Sequence, residues 1–193
     1  MREPEKLNRQ TMGITDGIPL EVTGTDIESL RRDIQRLMDI EAIKQLKHCY
    51  LRCVDTANLV EMSELFHDDV HVHFKGGTYE WKLDGKAEYL AAIGQSFNTR
   101  MIGQHNGHHP EIQILSETEA TGIWYLADLA WQLDIGNFLQ GTLLYWDRYV
   151  KENGRWLIIE TRYERLYEIN TPLLEEPKLS SHYLGVHGTP IQG

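Results

Sequence analysis

Along Ile123-Trp124-Tyr125-Leu126-Ala127-Asp128-Leu129-Ala130-Trp131, alternate residues share a strand face, which sets Trp124, Leu126, Asp128 and Ala130 together. Asp128 is a lone carboxylate among apolar neighbours. The opposite face, Ile123, Tyr125, Ala127, Leu129 and Trp131, is apolar too, so both sides of this strand read as covered. The same parity along Leu157, Ile159, Thr161, Tyr163, Arg165, Tyr167 and Ile169 puts Arg165 in a similar setting. A charge taken out of water needs a partner or a task. Asp128 and Arg165 either neutralise each other in the interior or tune protonation at a site.

Histidine offers a second chemistry. Seven of the nine histidines fall between His48 and His109. His71 and His73 share a strand face, Asp68 and Asp69 precede them, and His105, His108 and His109 follow, so metal ligands are not lacking. Their spacing matches no metal signature and HExxH is absent, so no metal is expected. A single histidine acting as general base needs less: it titrates near neutral pH, and a carboxylate on its other nitrogen fixes the tautomer and stabilises the imidazolium. Spacing alone does not single out which histidine. Tyr50 and Asp55, five apart where a helical pattern ends, read on their own as a core tyrosine and a helix-terminal aspartate. Cys49 and Cys53 lie four apart in that pattern, where disulfide geometry is hard to reach, and read as core-facing thiols. No third cysteine or CxxC spacing supports a zinc or iron-sulfur site. GxSxG, a phosphate-binding glycine loop and the dinucleotide fingerprint are all missing, so serine nucleophiles, nucleotide hydrolysis and hydride transfer lack support.

The elements that must position these groups follow from periodicity. Residues 1–24 mix Pro, Gly and charge without a hydrophobic period and read as a flexible arm. Thr25-Asp26-Ile27-Glu28 has capping-box spacing with Thr25 as the cap. Ile27, Leu30, Ile34 and Leu37, then Ile40, Ile43, Leu46, Tyr50 and Cys53, form the apolar stripe of one long helix, or of two with a bend near Asp39. Asn58 with Glu61 three places on predicts a short second helix. Val70–Lys75, Gly76-Gly77 and the return through Tyr79 and Trp81 read as a hairpin. Asp84 can cap a third helix carrying Tyr89, Leu90, Ile93 and Phe97. Four strands are predicted near 104–116, 119–133, 138–150 and 155–169, the last two joined by a tight turn at Asn153-Gly154. Residues 25–170 thus form the domain, and the proline-bearing 171–193 an extended tail. Helices, a hairpin, a helix and a meander make an α+β fold whose curved sheet leaves a pocket over the helices.

Composition sets the outer bounds. With 193 residues, 41% hydrophobic and 25% charged, the chain is that of one folded globular domain with tails. A formal charge of −10 repels phosphate backbones and anionic bilayers, so nucleic-acid and membrane partners are not expected. Neither a signal-type leader nor a run long enough to span a bilayer is evident, and a cytoplasmic protein is expected.

The order of elements, with Asp39-Ile40-Glu41-Ala42-Ile43-Lys44-Gln45-Leu46-Lys47 and Tyr50-Leu51-Arg52-Cys53-Val54-Asp55, resembles the SnoaL-like branch of the NTF2-like superfamily, and within it the bile-acid 7α-dehydratases of gut bacteria. The likeness runs from about Asp39 to Ile169 and includes Gly107-His108-His109-Pro110-Glu111-Ile112, Ala120-Thr121-Gly122-Ile123-Trp124-Tyr125-Leu126, Glu160-Thr161 and Arg165-Leu166-Tyr167. That family's functional set is a tyrosine, two aspartates, a histidine and an arginine, which the resemblance places at Tyr50, Asp55, His105, Asp128 and Arg165. Asn106 departs from it where the family has a second adjacent histidine, and Leu129 where the dehydratase has arginine. The resemblance implies a cone of three helices packed against a curved, mainly antiparallel mixed sheet, assembled as a homotrimer. It implies a cofactor-independent hydro-lyase that removes water from a hydroxylated oxo-steroid of the 7α-hydroxy-3-oxo-Δ4 bile-acid type. His105 would move the proton, Asp55 orient it, Tyr50 bond to developing charge, and Asp128 with Arg165 set the pocket's electrostatics. Neither cofactor nor metal is implied; the partner is a small hydrophobic substrate, steroid or polyketide-like. Polyketide cyclisation, isomerisation and dehydrohalogenation are the sister reactions, and a non-catalytic hydrophobic-ligand-binding module is the bland alternative.

Overall fold

A computed structural model describes residues 6–21 and 26–191. Helices α1 (Ile27–Asp55) and α2 (Leu59–Ser63) precede the hairpin β1 (Phe66–Lys75) and β2 (Glu80–Asp84). Helix α3 (Lys86–Ser96) leads into β3 (Met101–Ile114), β4 (Glu119–Gln132), β5 (Asn137–Glu152) and β6 (Arg155–Pro172), and a one-turn helix α4 (Tyr183–His187) closes the chain. The sheet order is β2-β1-β6-β5-β4-β3, antiparallel throughout except where β1 runs parallel to β6. The fold is therefore α+β, with a curved six-stranded sheet whose inner face and the helices share one core.

Local signals account for most boundaries. Asn58 Oδ1 accepts from Glu61 N at 3.2 Å and starts α2. Asn153 and Gly154 take φ of 49° and 79°, the left-handed pair that a two-residue hairpin turn requires. Two caps differ from expectation. The α1 cap is Asp26, whose carboxylate accepts from Glu28 N and Ser29 N at 3.1 and 2.9 Å, while Thr25 lies outside the described residues. Asp84 stays in the β2 ladder opposite His71, and the N-cap of α3 is Gly85, whose φ of 90° suits glycine.

Helix α1 is continuous, the first of the two arrangements that the apolar stripe allowed. Asp39, where the alternative placed a bend, is buried inside it and accepts from Trp156 Nε1 at 3.0 Å and Lys151 Nζ at 2.5 Å. The apolar stripe divides there. Its second half is core, but Ile27, Leu30, Ile34 and Leu37 are exposed among the described residues, because this half of the helix meets the arm through its polar side instead. Glu21 N donates to the Asp33 carboxylate, and Arg36 Nη1 to Pro19 O.

Both ends of the chain make more contact than their composition suggests. Met12 and Ile14 bury themselves against Ile123 on the outer face of β4, whereas Tyr125 on that face is 38% exposed, so the outer side of β4 is covered only in part. In the tail, Leu184 of α4 enters the main core and Thr99 N donates to Thr189 O at 3.1 Å. The parity expected along β6 fails twice. Arg148 pairs with Glu160 but Tyr149 with Ile158, and Leu143 pairs with Arg165 but Thr142 with Tyr167. Bulges at Ile159 and Leu166 therefore turn Trp156 and Ile158 inward in place of Leu157 and Ile159, and leave Tyr167 and Ile169 exposed. Thr161, Tyr163 and Arg165 alone keep the expected face.

Candidate active site

A cavity of about 310 Å³ opens between the sheet's inner face and the helices, lined in part by Tyr50, His105, Asp128 and Arg165. Its chemistry is laid out as a row across four elements. Asp55, at the C-terminal end of α1, reaches β3 because the strand is thin there: a Cβ on Gly107 would lie 2.3 Å from Leu51 Cδ1. Asp55 Oδ1 accepts from His105 Nδ1 at 2.6 Å and Oδ2 from the His105 backbone N–H at 3.1 Å. Holding both, the carboxylate fixes the ring plane and, in the neutral ring, places the proton on Nδ1. His105 Nε2, with no protein partner among the described residues, is left with its lone pair for the cavity.

Directly opposite His105 in the β3–β4 ladder is Asp128. The residue facing Asp128 on β5 is Gly141, and the guanidinium of Arg165 crosses the strand at that point. Its Nη1 and Nη2 donate to Asp128 Oδ1 and Oδ2 at 2.9 and 2.7 Å. A Cβ on Gly141 would stand 2.7 Å from Arg165 Nη1 and 2.7 Å from Tyr167 O, so only glycine leaves the passage open. The pair is not alone: Glu168 Oε2 stands 2.8 Å from Arg165 Nε, brought to the inner face by the bulge at Leu166. Burial works against the guanidinium's charge, but its bonds to Asp128 and Tyr79 outweigh that and raise its pKa. One cation thus serves two carboxylates, and the cluster carries a net negative charge beside His105.

Tyrosines form the cavity floor. Tyr50 OH lies 2.8 Å from Tyr89 OH and 3.4 Å from Tyr145 OH. Burial pushes Tyr50 up to about 12, against the bonds from Tyr145 and Tyr89, so it meets a ligand as a neutral phenol. Tyr79 OH and Tyr163 OH, 2.5 Å apart, stand beside Arg165. Beneath the floor Lys47 and Asp147 form a second buried pair, Nζ to Oδ2 2.8 Å. Both were open to sequence reasoning: Lys47 interrupts the stripe Ile43, Lys47, Tyr50, and Asp147 sits between Tyr145 and Tyr149 as Asp128 does between Leu126 and Ala130. Glu168 had no such signal.

The remaining histidine groups are elsewhere. His71 pairs with Asp84 and His73 with Glu80 on the exposed hairpin, and His108 packs against His109 and Tyr125 on the outer face. Cys49 and Cys53 approach to 3.9 Å with Glu61 Oε1 3.2 Å from Cys49 Sγ. Arg52 already occupies this group, donating to both Glu61 oxygens and to Cys49 Sγ. Burial pushes both thiols up, Cys53 to about 12.

An α+β half-cone with a carboxylate-oriented histidine and a guanidinium held by buried acids on its wall defines a class of small-ligand domain. A family model described as the SnoaL-like domain matches residues 35–162, and the chain belongs to that family. Solved structures share the fold. The hexachlorocyclohexane dehydrochlorinase LinA Type2 has a TM-score of 0.65 at 17% identity, covering 76% of this chain and 99% of that one. LinA-type3 from Novosphingobium barchaimii LL02 gives 0.64 at 19%, covering 77% and 99%. A candidate scytalone dehydratase from Novosphingobium aromaticivorans DSM 12444 gives 0.59 at 20%, covering 77% and 97%. Among the described residues, no helix is long and apolar enough to cross a membrane.

Proposed function

We propose that the chain is a cofactor-independent lyase that eliminates water from a hydroxylated, carbonyl-bearing small molecule, with Tyr50, Asp55, His105, Asp128 and Arg165 as its site. The observation that carries this reading is the Asp55–His105 dyad on the cavity wall, with Nε2 left without a protein partner among the described residues. His105 Nε2 takes a proton from carbon conjugated with the ketone, and the C–H electron pair delocalises onto the carbonyl oxygen, where the phenol of Tyr50 donates to the developing charge. The dienolate then expels the hydroxyl from the adjacent carbon, and the imidazolium returns its proton so that the group leaves as water. Asp128 and Arg165 orient the ring system and, with Glu168, set the charge of the wall beside it.

In its finer form the substrate is a 7α-hydroxy-3-oxo-Δ4 steroid of the bile-acid type, supported by the resemblance over Asp39–Ile169. At about 310 Å³ the cavity lies near the low end of ligand pockets, so a four-ring substrate reacts with one end toward the opening. We propose further that the protein acts in the cytoplasm as a homotrimer, with 1–24 and 171–193 flanking the 25–170 domain; Tyr125, Leu166 and Ile169, exposed on the sheet, support self-association, and a monomer in light scattering would overturn it. The fold likeness to the dehydrochlorinases supports a second reading, loss of halide from a chlorinated ring by the same base.

The test is incubation of chelator-treated protein with hydroxylated oxo-steroids and chlorinated rings, followed by mass spectrometry. Loss of water from an oxo-steroid, reduced by about 10²–10⁴-fold in His105→Ala, is the expected result. Loss of hydrogen chloride alone moves the assignment to the second reading. Full activity in His105→Ala, or no turnover at all, defeats both.

A further inference from the structure

Lys47 takes no part in the proton transfer above, yet its side chain is 1% exposed and that of Asp147 is 0% exposed. The two partners are held differently. Asp147 accepts from Thr161 Oγ1 and from Tyr149 OH, each at 2.8 Å, and Tyr149 OH in turn accepts from Trp124 Nε1 at 2.9 Å. These two donors hold the carboxylate in place. The ammonium is 2.8 Å from Asp147 Oδ2 but outside hydrogen-bond geometry, and lies against aromatic faces instead: 3.6 Å from the centroid of Tyr145 and 4.6 Å from that of Tyr50. Burial pushes Lys47 downward in pKa, and the Asp147 charge pulls against that.

A sealed pair of this kind is a poor device for stability, because apolar residues of equal volume fill such a space as well. Its effect on the rings is more specific. A cation against the face of a phenol attracts its π electrons and stabilises negative charge on its oxygen, most strongly where water is excluded. Both affected phenols line the cavity, with their oxygens 3.4 Å apart.

We infer that Lys47 is a positioning residue: its ammonium, held by Asp147 beneath Tyr145 and Tyr50, strengthens these two phenols as paired hydrogen-bond donors to a ligand oxygen bearing negative charge on a planar ring. The ligand class is an enolate or phenolate. This deepens the assignment of Tyr50 to developing charge and rests on it.

The experiment binds 2-naphthols of graded acidity, two-ring probes suited to the cavity, and reads from absorbance the ratio of bound naphtholate to bound naphthol at one pH. The wild-type protein shifts bound probes toward the naphtholate. Lys47→Met with Asp147→Asn removes both charges without stranding either, and lowers that ratio about tenfold, the equivalent of one pKa unit. Tyr145→Phe, which removes the phenol nearest the ammonium, lowers it in an intact ion-pair background. Tyr149→Phe loosens Asp147 but leaves the ammonium in place, so it lowers Tm without moving the ratio. Wild-type protein that binds only neutral naphthol overturns the inference. So does an unchanged ratio in the charge-free double variant or in Tyr145→Phe, or an equal loss in Tyr149→Phe, which would make the pair a structural element only. Naphtholate binding without water loss from any oxo-steroid defeats the lyase reading while leaving this one standing.

Discussion

Arg165 and Lys47 each hold a carboxylate inside the same half-cone, in different company. Arg165 lies on the cavity wall and faces two acids, Asp128 through a bidentate contact and Glu168 through Nε. Lys47 is sealed beneath the tyrosine floor with one acid, Asp147, whose remaining needs are met by Thr161 and Tyr149. The wall cluster is negative overall and stands across the β3–β4 ladder from His105. The floor pair sums to zero and reaches a ligand only through the aromatic rings above it. Surplus charge is thus kept on the open cavity wall, and balanced charge in the sealed space beneath the floor.

Breaking the floor pair has the largest expected effect on folding. Lys47→Met leaves Asp147 without its cation in a sealed space, at a cost of about 3–5 kcal/mol. Adding Asp147→Asn removes the stranded charge and regains most of it. Urea titrations of the single and double variants measure this; equal stability for the two would show that Asp147 finds another partner or water.

The same manipulation on the wall gives a different pattern, because three charges are present there. Arg165→Met strands Asp128 and Glu168, with a loss of about 3 kcal/mol. Asp128→Asn with Arg165→Met recovers only part of that, since Glu168 has lost its cation and keeps only the bonds from Gly77 N and Asn170 Nδ2, and recovery needs Glu168→Gln as well. Turnover returns in none of them. Full recovery in the double variant would reduce the cluster to the simple pair suggested by strand parity.

That pair, and much of the frame, was legible in the sequence. Parity in β4 isolates Asp128, the Asn58–Glu61 spacing marks α2, and Asn153-Gly154 marks the last hairpin. Glu168 was hidden because bulges at Ile159 and Leu166 shift the side-chain period, and nothing in the local sequence announces a bulge. Periodicity also fails on the first half of α1, where an apolar stripe identical in pattern to a core stripe is exposed. The meeting of Asp55 with His105 joins residues fifty positions apart, so it depends on tertiary packing; resemblance, not spacing, pointed to it.

Alkaline pH separates the floor's phenols from its lysine. An unfolded tyrosine ionises near pH 10, while Tyr50 keeps its proton to about pH 12. Across that interval the unfolded chain sheds a proton that the folded chain retains, so stability falls as pH rises, by about 3 kcal/mol for Tyr50 alone. Lys47 acts with the opposite sign. Its lowered pKa makes the folded chain release its proton first, so its contribution improves with rising pH. Tyr50→Phe should flatten the fall between about pH 10 and 12 in denaturant titrations. An unaltered slope would mean that Tyr50 ionises in the native state as an exposed phenol does.

Gly141→Ala should have the smallest effect on folding and still discriminate between wall and floor. The new methyl group would stand 2.7 Å from Arg165 Nη1 and from Tyr167 O, whereas the Lys47 pair lies on the other side of the tyrosine floor. The guanidinium can swing, but the Tyr167 carbonyl is backbone in the β5–β6 ladder, so the strand must shift as well, at a cost of about 1–3 kcal/mol. That displacement loosens the bidentate contact to Asp128, which is direct neighbour to His105. Turnover should therefore fall by more than the stability loss suggests, while the naphtholate ratio set by the floor is unchanged. Crystals of the variant would show Arg165 withdrawn from Asp128 with Lys47 still under Tyr145. An alanine protein with full turnover would separate the arginine from the chemistry and leave Asp128 as the wall's only contributor to it.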